Sequence, residues 1–508
     1  MDDANRRIAH NTIYMYVRLL TMVVAGLYTS RLVLALLGVS DFGLFSVVGG
    51  LMVMLTFVTI PLANATSRFL NVEMSRPDGE VARCFHVAVT IHAALALLTL
   101  VVAETAGLWY VSHCLRVEPG KEADALFVYQ VALVTACMGI ANAPYQSLFQ
   151  AHERFKFLAL LDTATTLLRL GLVALLLGYE GGYALRLYSL IYSLTTLCTL
   201  AVYLREARRC WPDVVRLRWV GQWKYYKKML AYCGWNVVTS FAIMGRSSGA
   251  DLLINSFFGT GVNGAFAISK SVGTYVTTFS NNFDRAAAPQ IISAYAQRNM
   301  QRVSYLANKT GRFNLLLFEV IFFSLWVELD YVLGLWLGHV PEGASLFVRI
   351  YLLVAGVALS SGGLSHVVRA YDDVKWFQIE QSTFYLLCIP IGYGLYGVGF
   401  PPPTVLVLFV GADLSHRVVQ LVLLRRLAGF DSGRYVREAY LRPLLVAMVM
   451  GVGVGLYPLC GVTAVAGRWT AMLLTFTATA GLTLAIGLTK SERQALLHLL
   501  PWKVRYMR

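Results

Sequence analysis

The chain has 508 residues, of which 57% are apolar and only 14% charged, with 43 Lys and Arg against 28 Asp and Glu and a formal net charge of +15. Mean hydropathy is +0.60. So few charges cannot cover the soluble domains that this length would make, and the balance also excludes a disordered, collagen-like or disulfide-rich secreted chain. What remains is an all-α polytopic membrane protein.

Apolar runs near the ~20 residues needed to cross a bilayer fall at 12–37, 42–70, 84–112, 123–150, 157–178, 187–204, 229–257, 261–292, 313–336, 344–368, 377–398, 403–424, 443–460 and 469–489, which makes fourteen candidate spans. The first run is too long for a signal-peptide core and leads straight into a second, so no cleaved targeting segment is expected. With the N-terminus in the cytoplasm and strict alternation, the cytoplasmic segments hold 30 Lys and Arg, the outer loops 4 and the spans 9. That bias follows the positive-inside rule with both termini cytoplasmic. The basic surplus is therefore topological, and nucleic-acid binding is not expected. The expected organisation is a six-helix bundle over 1–204, a basic cytoplasmic linker over 205–228, a second six-helix bundle over 229–424, a basic cytoplasmic loop over 425–442, and two further helices with a cytoplasmic tail over 443–508. The linker carries eight Lys and Arg and is suited to lie on an anionic leaflet.

A charge inside a span costs about 2.5–3.5 kcal/mol on insertion scales, so such residues face a cavity or a partner unless they sit near an end and snorkel. Taken in chain order, the first span holds Arg18 and Arg31, about 220° apart around the axis. Each either snorkels or faces a cavity. Pro61 in the second span is a candidate hinge. The fifth span places Asp162, Thr165, Thr166 and Arg169 on one face. In the seventh, Arg246 lies within Gly245-Arg-Ser-Ser-Gly249, a composition that favours a bend or partial unwinding. It either pairs with Asp251 or another carboxylate, or faces a substrate. The G-x-S-x-G string found there needs a strand-to-helix turn to act as a nucleophile elbow and lies inside a span. The eighth span carries Lys270, Thr274, Thr277, Asn281, Asp284 and Arg285 within an arc of about 100°. These polar faces line either water or a neighbouring helix. Glu319, nearly two turns into the ninth span, titrates, binds a cation or pairs. Arg349 and Arg417 lie near helix ends and are expected to snorkel. Asp162, Asp251, Asp284 and Glu319 are the candidates for coupling to an ion.

The pattern Gly38-x4-Gly43-x-Phe45 recurs as Gly259-x4-Gly264-x-Phe266, 221 residues later. Six spans separate the copies, so the repeat is parallel, and transporters built this way bind substrate between their halves. The eight cysteines form no CxxC pair and read as small packing residues. No G-x4-G-K-[ST], HExxH, Cys/His cluster or nucleophile spacing is present, so the chain reads as a transporter rather than an enzyme. It is expected to hold no cofactor and to draw on a Na⁺ or H⁺ gradient, a downhill substrate or a partner ATPase.

Ser30-Arg31, Leu37-Gly38-Val-Ser-Asp41-Phe42-Gly43-Leu-Phe45 and Val48-Gly49-Gly50 resemble the first two helices of bacterial polysaccharide flippases of the multidrug/oligosaccharidyl-lipid/polysaccharide exporter superfamily. Ala65-Thr-Ser-Arg68-Phe69, Pro144 and Ala151-His-Glu153-Arg154-Phe155 are similar to the family as well. The resemblance covers roughly 8–425; the last two helices are an addition that only some members have. It implies two parallel six-helix bundles in a V-shaped arrangement, opening alternately to either side of the bacterial inner membrane. It implies flipping of undecaprenyl-pyrophosphate-linked oligosaccharide for lipopolysaccharide or capsule, with the pyrophosphate in a cationic central cavity. The cavity cations would be drawn from Arg246, Lys270, Arg18, Arg31, Arg169 and Arg285, with Thr165, Thr166, Thr274, Thr277 and Asn281 as polar lining. Partners would be the lipid-linked oligosaccharide, the bilayer and other glycan-assembly membrane proteins. A cation-coupled multidrug exporter of the same fold and a non-transporting scaffold for glycan assembly are the alternatives. The first would want an acidic cavity, and the second would tolerate substitution of its buried charges.

Overall fold

Lipid offers the backbone no hydrogen-bond partner, so a spanning chain must satisfy its peptide groups within its own helices. In the structure, a computed structural model, all regular elements among the described residues are helical. The structure describes residues 2–493 apart from 75, 77, 180, 217, 372–374, 461–463 and 491; the side chains of 2–20, 235, 279–289, 292, 293, 296, 369 and 460 also lie outside the described set. The main helices are α1 (Asp2–Leu55), α2 (Thr59–Met74), α3 (Val81–His113), α4 (Glu122–Ala151), α5 (Phe155–Leu176), α6 (Ala184–Cys210), α7 (Trp223–Ala296), α8 (Met300–Val327), α9 (Leu329–Leu337), α10 (Ala344–Leu359), α11 (Gly362–Ala370), α12 (Lys375–Gly397), α13 (Thr404–Ala428), α14 (Leu441–Leu456) and α15 (Val465–Leu482).

Ten helices of the described residues are long and apolar enough to cross a membrane, eleven if the bent pair Ala344–Leu359 and Gly362–Val368 counts as one span. Two of the ten, Thr21–Leu55 and Asn236–Thr278, each run through a turn that separates two of the expected spans. The chain is a multi-pass membrane protein. Large apolar side chains stand exposed on these helices, Leu175 at 78% and Leu474 at 67% among them, as lipid-facing residues must.

The chain divides into two units. The first comprises Met1–Ala267, Trp336–Glu342 and Gln381–Pro402. In it Leu44, Val48 and Met52 of α1 pack on Ala103 and Val111 of α3 and on Tyr129 and Leu133 of α4. Residues Ala103–Gly107 form a π turn within α3. The Ala103 carbonyl there accepts the Leu108 N–H and also the Tyr129 hydroxyl, at 2.6 Å. Gly107 leaves room for that hydroxyl, which a Cβ would strike.

The internal repeat is visible in the backbone of this unit. Gly38 has φ 74 and ψ 176, and Gly259 has φ 79 and ψ −174. Both positions need a positive φ that only glycine adopts without strain, and each joins two helices across a kink. Just beyond them the two copies cross. A Cβ on Gly43 would fall on the carbonyl oxygen of Thr260 and come within 2.8 Å of the Gly264 nitrogen, while one on Gly264 would lie 2.6 Å from the carbonyl oxygen of Val39. Because Thr260 stands to Val39 as Gly264 stands to Gly43, the contact is reciprocal, as at a two-fold axis. Ser40 and Thr260 share a hydrogen bond of 2.8 Å at the same point.

The second unit comprises Ile268–Leu335, Gly343–Glu380 and Pro403–Arg508. Ile291 and Ala294 of α7, Val303 and Ala307 of α8, Leu364 and Val367 of α11 and the segment around Phe430 and Tyr435 form one core. A second joins Leu316 and Phe323 of α8 to Val446 and Met450 of α14. The added C-terminal helices are thus packed onto the unit rather than standing apart.

The four basic residues assigned to outer loops are all engaged. Lys121 pairs with Asp41 at 2.8 Å, Arg186 with Asp124 at 2.5 Å and Arg468 with Glu328 at 4.0 Å. The Asp41 carboxylate raises the Lys121 pKa above its ordinary value. Arg116 donates a side-chain N–H to the Phe257 carbonyl at 3.2 Å, and its backbone exchanges two 2.9 Å hydrogen bonds with the Asn255 amide. Arg349 pairs with Asp330 at 3.0 Å, so it has a carboxylate where snorkelling was expected.

Gly49 has open space where its Cβ would be and serves as a control on the same helix. Gly43→Ala is expected to lower stability by about 1–3 kcal/mol, the usual cost of overpacking. Gly49→Ala should be nearly neutral. Thermal unfolding of purified protein in detergent measures both, and equal melting temperatures for the two variants would remove the crossing as a structural constraint.

Candidate functional site

The residues after Met52 cannot continue as one helix. Pro61 has no N–H for the carbonyl four residues earlier, and its ring crowds that turn. The chain accordingly opens at Thr56–Val58, and α2 restarts with Pro61 in its first turn. The discontinuity near Pro61 is therefore a break between helices rather than a kink inside one. Leu62, Ala65 and Leu70 of α2 are buried. Its other face carries Asn64, Ser67, Arg68 and Asn71 at i, i+3, i+4 and i+7. Those four residues, with Val72, Arg76 and Gln150, line a cavity of about 660 Å³ in the first unit. The lining includes two arginines, of which Arg76 pairs with Glu73 at 3.3 Å. Arg68 is exposed, stacks 4.2 Å over the ring of Tyr232 and has no carboxylate partner among the described residues. The stack holds the guanidinium flat while leaving its N–H groups available to an anion. An adjoining cavity of about 640 Å³ differs in charge, since Glu73, Asp78 and Glu80 offset Arg76, Arg83, Lys224 and Lys228 in its lining.

Arg246 is half-buried on α7 and stacks 3.9 Å over the ring of Tyr385. The expected bend at Gly245–Gly249 is not present. The breaks in α7 fall at Gly234 and Gly259, and the two small residues serve close packing instead, with Leu386 and Ile389 of α12 at 3.5 and 3.0 Å from where their Cβ atoms would be. One turn on, Asp251 is 1% exposed, and its Oδ2 would lie 2.8 Å from a Cβ on Gly50. The Asn263 amide donates to the Asp251 backbone carbonyl at 3.1 Å.

On α5, Arg169 donates through Nε and Nη2 to the Thr195 hydroxyl of α6 at 3.2 and 3.0 Å and stacks 3.8 Å over Tyr192. Thr165 meets Thr199 at 3.1 Å, and the Thr166 hydroxyl bonds back to the Asp162 carbonyl at 2.7 Å. This face is a polar contact between helices, yet Arg169 has no carboxylate partner among the described residues. Arg31 is exposed. In the second unit Lys270 is half-buried, Thr274 is exposed, and the Thr277 hydroxyl bonds back to the Gly273 carbonyl at 2.8 Å. The side chains of Arg18, Asn281, Asp284 and Arg285 lie outside the described residues. Glu319 is 7% exposed, and its Oε2 has no hydrogen-bond partner among them.

Two features escaped the sequence reading. One is the polar face of α2, although its i, i+3, i+4, i+7 spacing was there to be read. The other is a buried polar cluster in the second unit. His416 Nδ1 of α13 lies 2.7 Å from Glu380 Oε1 of α12, and a His–carboxylate pair at that distance can share a proton. Arg417 beside it is 6% exposed and bonds Gln420. It does not snorkel, because α13 turns it inward with His416. Its signal was the run Asp413-x-x-His416-Arg417 on one face. No group of three or more His, Cys, Asp and Glu side chains among the described residues converges to hold a metal ion.

A family profile described as "Polysaccharide biosynthesis protein" matches residues 32–339, more than half of the chain. No curated protein sequence matches significantly. Among solved structures, the lipid II flippase MurJ in an inward closed conformation is similar with a TM-score of 0.67 at 12% identity, over 94% of this chain and 99% of that one. The multidrug transporter DinF-BH, solved in complex with R6G, gives 0.62 at 12% identity over 83% and 95%. The MATE transporter VcmN of Vibrio cholerae, solved as a point mutant, gives 0.53 at 16% identity over 83% and 97%. At these identities the likeness establishes the fold, an all-α membrane fold of the MurJ and MATE kind.

A buried carboxylate without a partner costs stability when ionised. Glu319→Gln is therefore expected to leave the melting temperature in detergent unchanged or higher. A loss of about 1–3 kcal/mol or more would instead show that the carboxylate holds a cation or donor that the amide cannot.

Proposed function

This chain belongs to the polysaccharide biosynthesis protein family, within the multidrug/oligosaccharidyl-lipid/polysaccharide exporter superfamily, and we propose that it is a flippase for a lipid-linked oligosaccharide. The substrate in this reading is an undecaprenyl-pyrophosphate-linked sugar, moved from the cytoplasmic to the outer leaflet of the bacterial inner membrane by alternating access. Both termini are cytoplasmic in this reading, as the basic bias of the loops requires.

The observation that carries it is the α2 cavity, lined by Arg68 and neutral side chains, with Arg76 paired to Glu73 at its edge. A diphosphate is well matched by guanidinium groups, which bind it through paired charge-assisted hydrogen bonds. Arg68 and Arg246 are each stacked on a tyrosine, which orients the fork at little entropic cost. A drug exporter of the same fold carries cations, for which this lining is repulsive. Sodium or proton coupling belongs to the proposal too. Glu319, and Glu380 through its pair with His416, are two carboxylates of the second unit suited to take up a proton.

Proteoliposomes holding a fluorescent undecaprenyl-pyrophosphate sugar test the reading, with and without a sodium or proton gradient and with ethidium uptake scored in parallel. Sugar is expected to cross and ethidium is not. Arg68→Ala and Arg246→Ala should each lower the sugar rate about 10- to 100-fold, the worth of a charge-assisted hydrogen bond, without loss of folded protein. Ethidium transport alone would place the chain with the drug exporters. Wild-type rates in both variants would remove the arginines from the mechanism.

A further inference from the structure

The start of α8 presents Tyr305, Asn308, Lys309 and Arg312 at i, i+3, i+4 and i+7. This face, the basic segment 434–442, Thr489 and Glu492 line a cavity of about 410 Å³ in the second unit. Five cations (Lys309, Arg312, Arg434, Arg437 and Arg442) and two carboxylates line it. Both carboxylates are already engaged. Glu492 pairs with Arg312 and accepts the Thr489 N–H at 2.9 Å. Glu438 takes Arg434 Nε at 2.7 Å and the Asn308 amide at 2.8 Å. Lys309, Arg437 and Arg442 have no carboxylate partner among the described residues.

The floor of the cavity is also incompletely satisfied. Arg312 is 4% exposed, and its Nε has no hydrogen-bond partner among the described residues although its other nitrogens are bonded. A buried donor left unbonded is unfavourable, and it leaves positive charge beneath the cavity incompletely satisfied. The cavity lies where apolar segments of α8 and α14 begin. A stripe of exposed apolar side chains runs away from it along α14: Leu441, Leu444, Met448 and Val452, from 50% to 66% exposed.

We propose that this cavity binds the phosphate of an anionic membrane lipid, whose acyl chains lie along the α14 stripe. Basic pockets at the headgroup level attract such lipids at about 1 kcal/mol per cation. The phosphate chemistry alone would also suit free phosphate, but the adjoining apolar stripe has a use only for a lipid. The site is separate from the α2 cavity and does not depend on the substrate assigned above.

The test uses the purified full chain in nanodiscs of phosphatidylcholine, with or without phosphatidylglycerol. Melting temperature and the lipid retained in native mass spectrometry are the readouts. Phosphatidylglycerol should raise the melting temperature and be retained. Arg437→Gln with Arg442→Gln should lose most of that shift, with retention weakened about fivefold per charge removed. Both side chains are solvent-accessible, so the variant should match wild type in pure phosphatidylcholine. Arg425→Gln with Arg426→Gln removes the same charge from the last turn of α13, outside the cavity, and should keep the shift. Equal loss in the two double variants would overturn the site in favour of diffuse attraction. No shift in wild type would overturn it outright, and a shift produced by inorganic phosphate in phosphatidylcholine alone would overturn the lipid assignment.

Discussion

The closeness of two backbones at Gly43 and Gly264 is the constraint on which the first unit depends. Helices in lipid gain little from burying apolar surface against each other, because acyl chains are equally apolar. Association then rests on contact that only small residues allow. Here each copy of the repeat supplies the small residue and the carbonyl that the other copy needs. The Ser40–Thr260 hydrogen bond and the Arg116–Asn255 pair close the same end. Two stretches of chain 221 residues apart are thereby held in one register, and the residues between them are positioned from that point.

Much of this was legible in the residues. Length of apolar run, loop charge and the Gly-x4-Gly-x-Phe repeat lead to a helical multi-pass fold without reference to packing. The backbone angles at Gly38 and Gly259 answer to the same repeat. What was not legible depends on which helix stands beside which. Arg246 was found by its depth in a span, but its Tyr385 platform lies on a helix more than a hundred residues away. The glycines around it looked like a bend when read along one chain, and they are a packing surface when read against α12. Arg417 looked like an end residue because depth was counted along its own helix, while it is in fact buried and bonded to Gln420. The α2 face was overlooked because Arg68 sits near the end of its span, where snorkelling is the ordinary outcome for arginine.

Cations within the helices are accommodated in three different ways. Some stack on tyrosine, as Arg68, Arg169 and Arg246 do. Others, such as Arg312, are buried against a carboxylate. Lys309 and its basic neighbours on 434–442 surround a cavity whose acids are already engaged. Stacking and pairing also coincide, since Arg186, Arg349 and Arg468 each lie over an aromatic ring and beside a carboxylate.

Four of the paired cations share an ordering in the chain, whereas Arg312 and Arg434 precede their partners Glu492 and Glu438. Asp41 precedes Lys121, Asp124 precedes Arg186, Glu328 precedes Arg468 and Asp330 precedes Arg349. A ribosome releases the acid of each of these four couples first. Whichever face of the bilayer a couple occupies, the carboxylate is already made when its lysine or arginine emerges. The basic member of these four couples, costly to bring across unaccompanied, therefore emerges after its counter-charge has been synthesised.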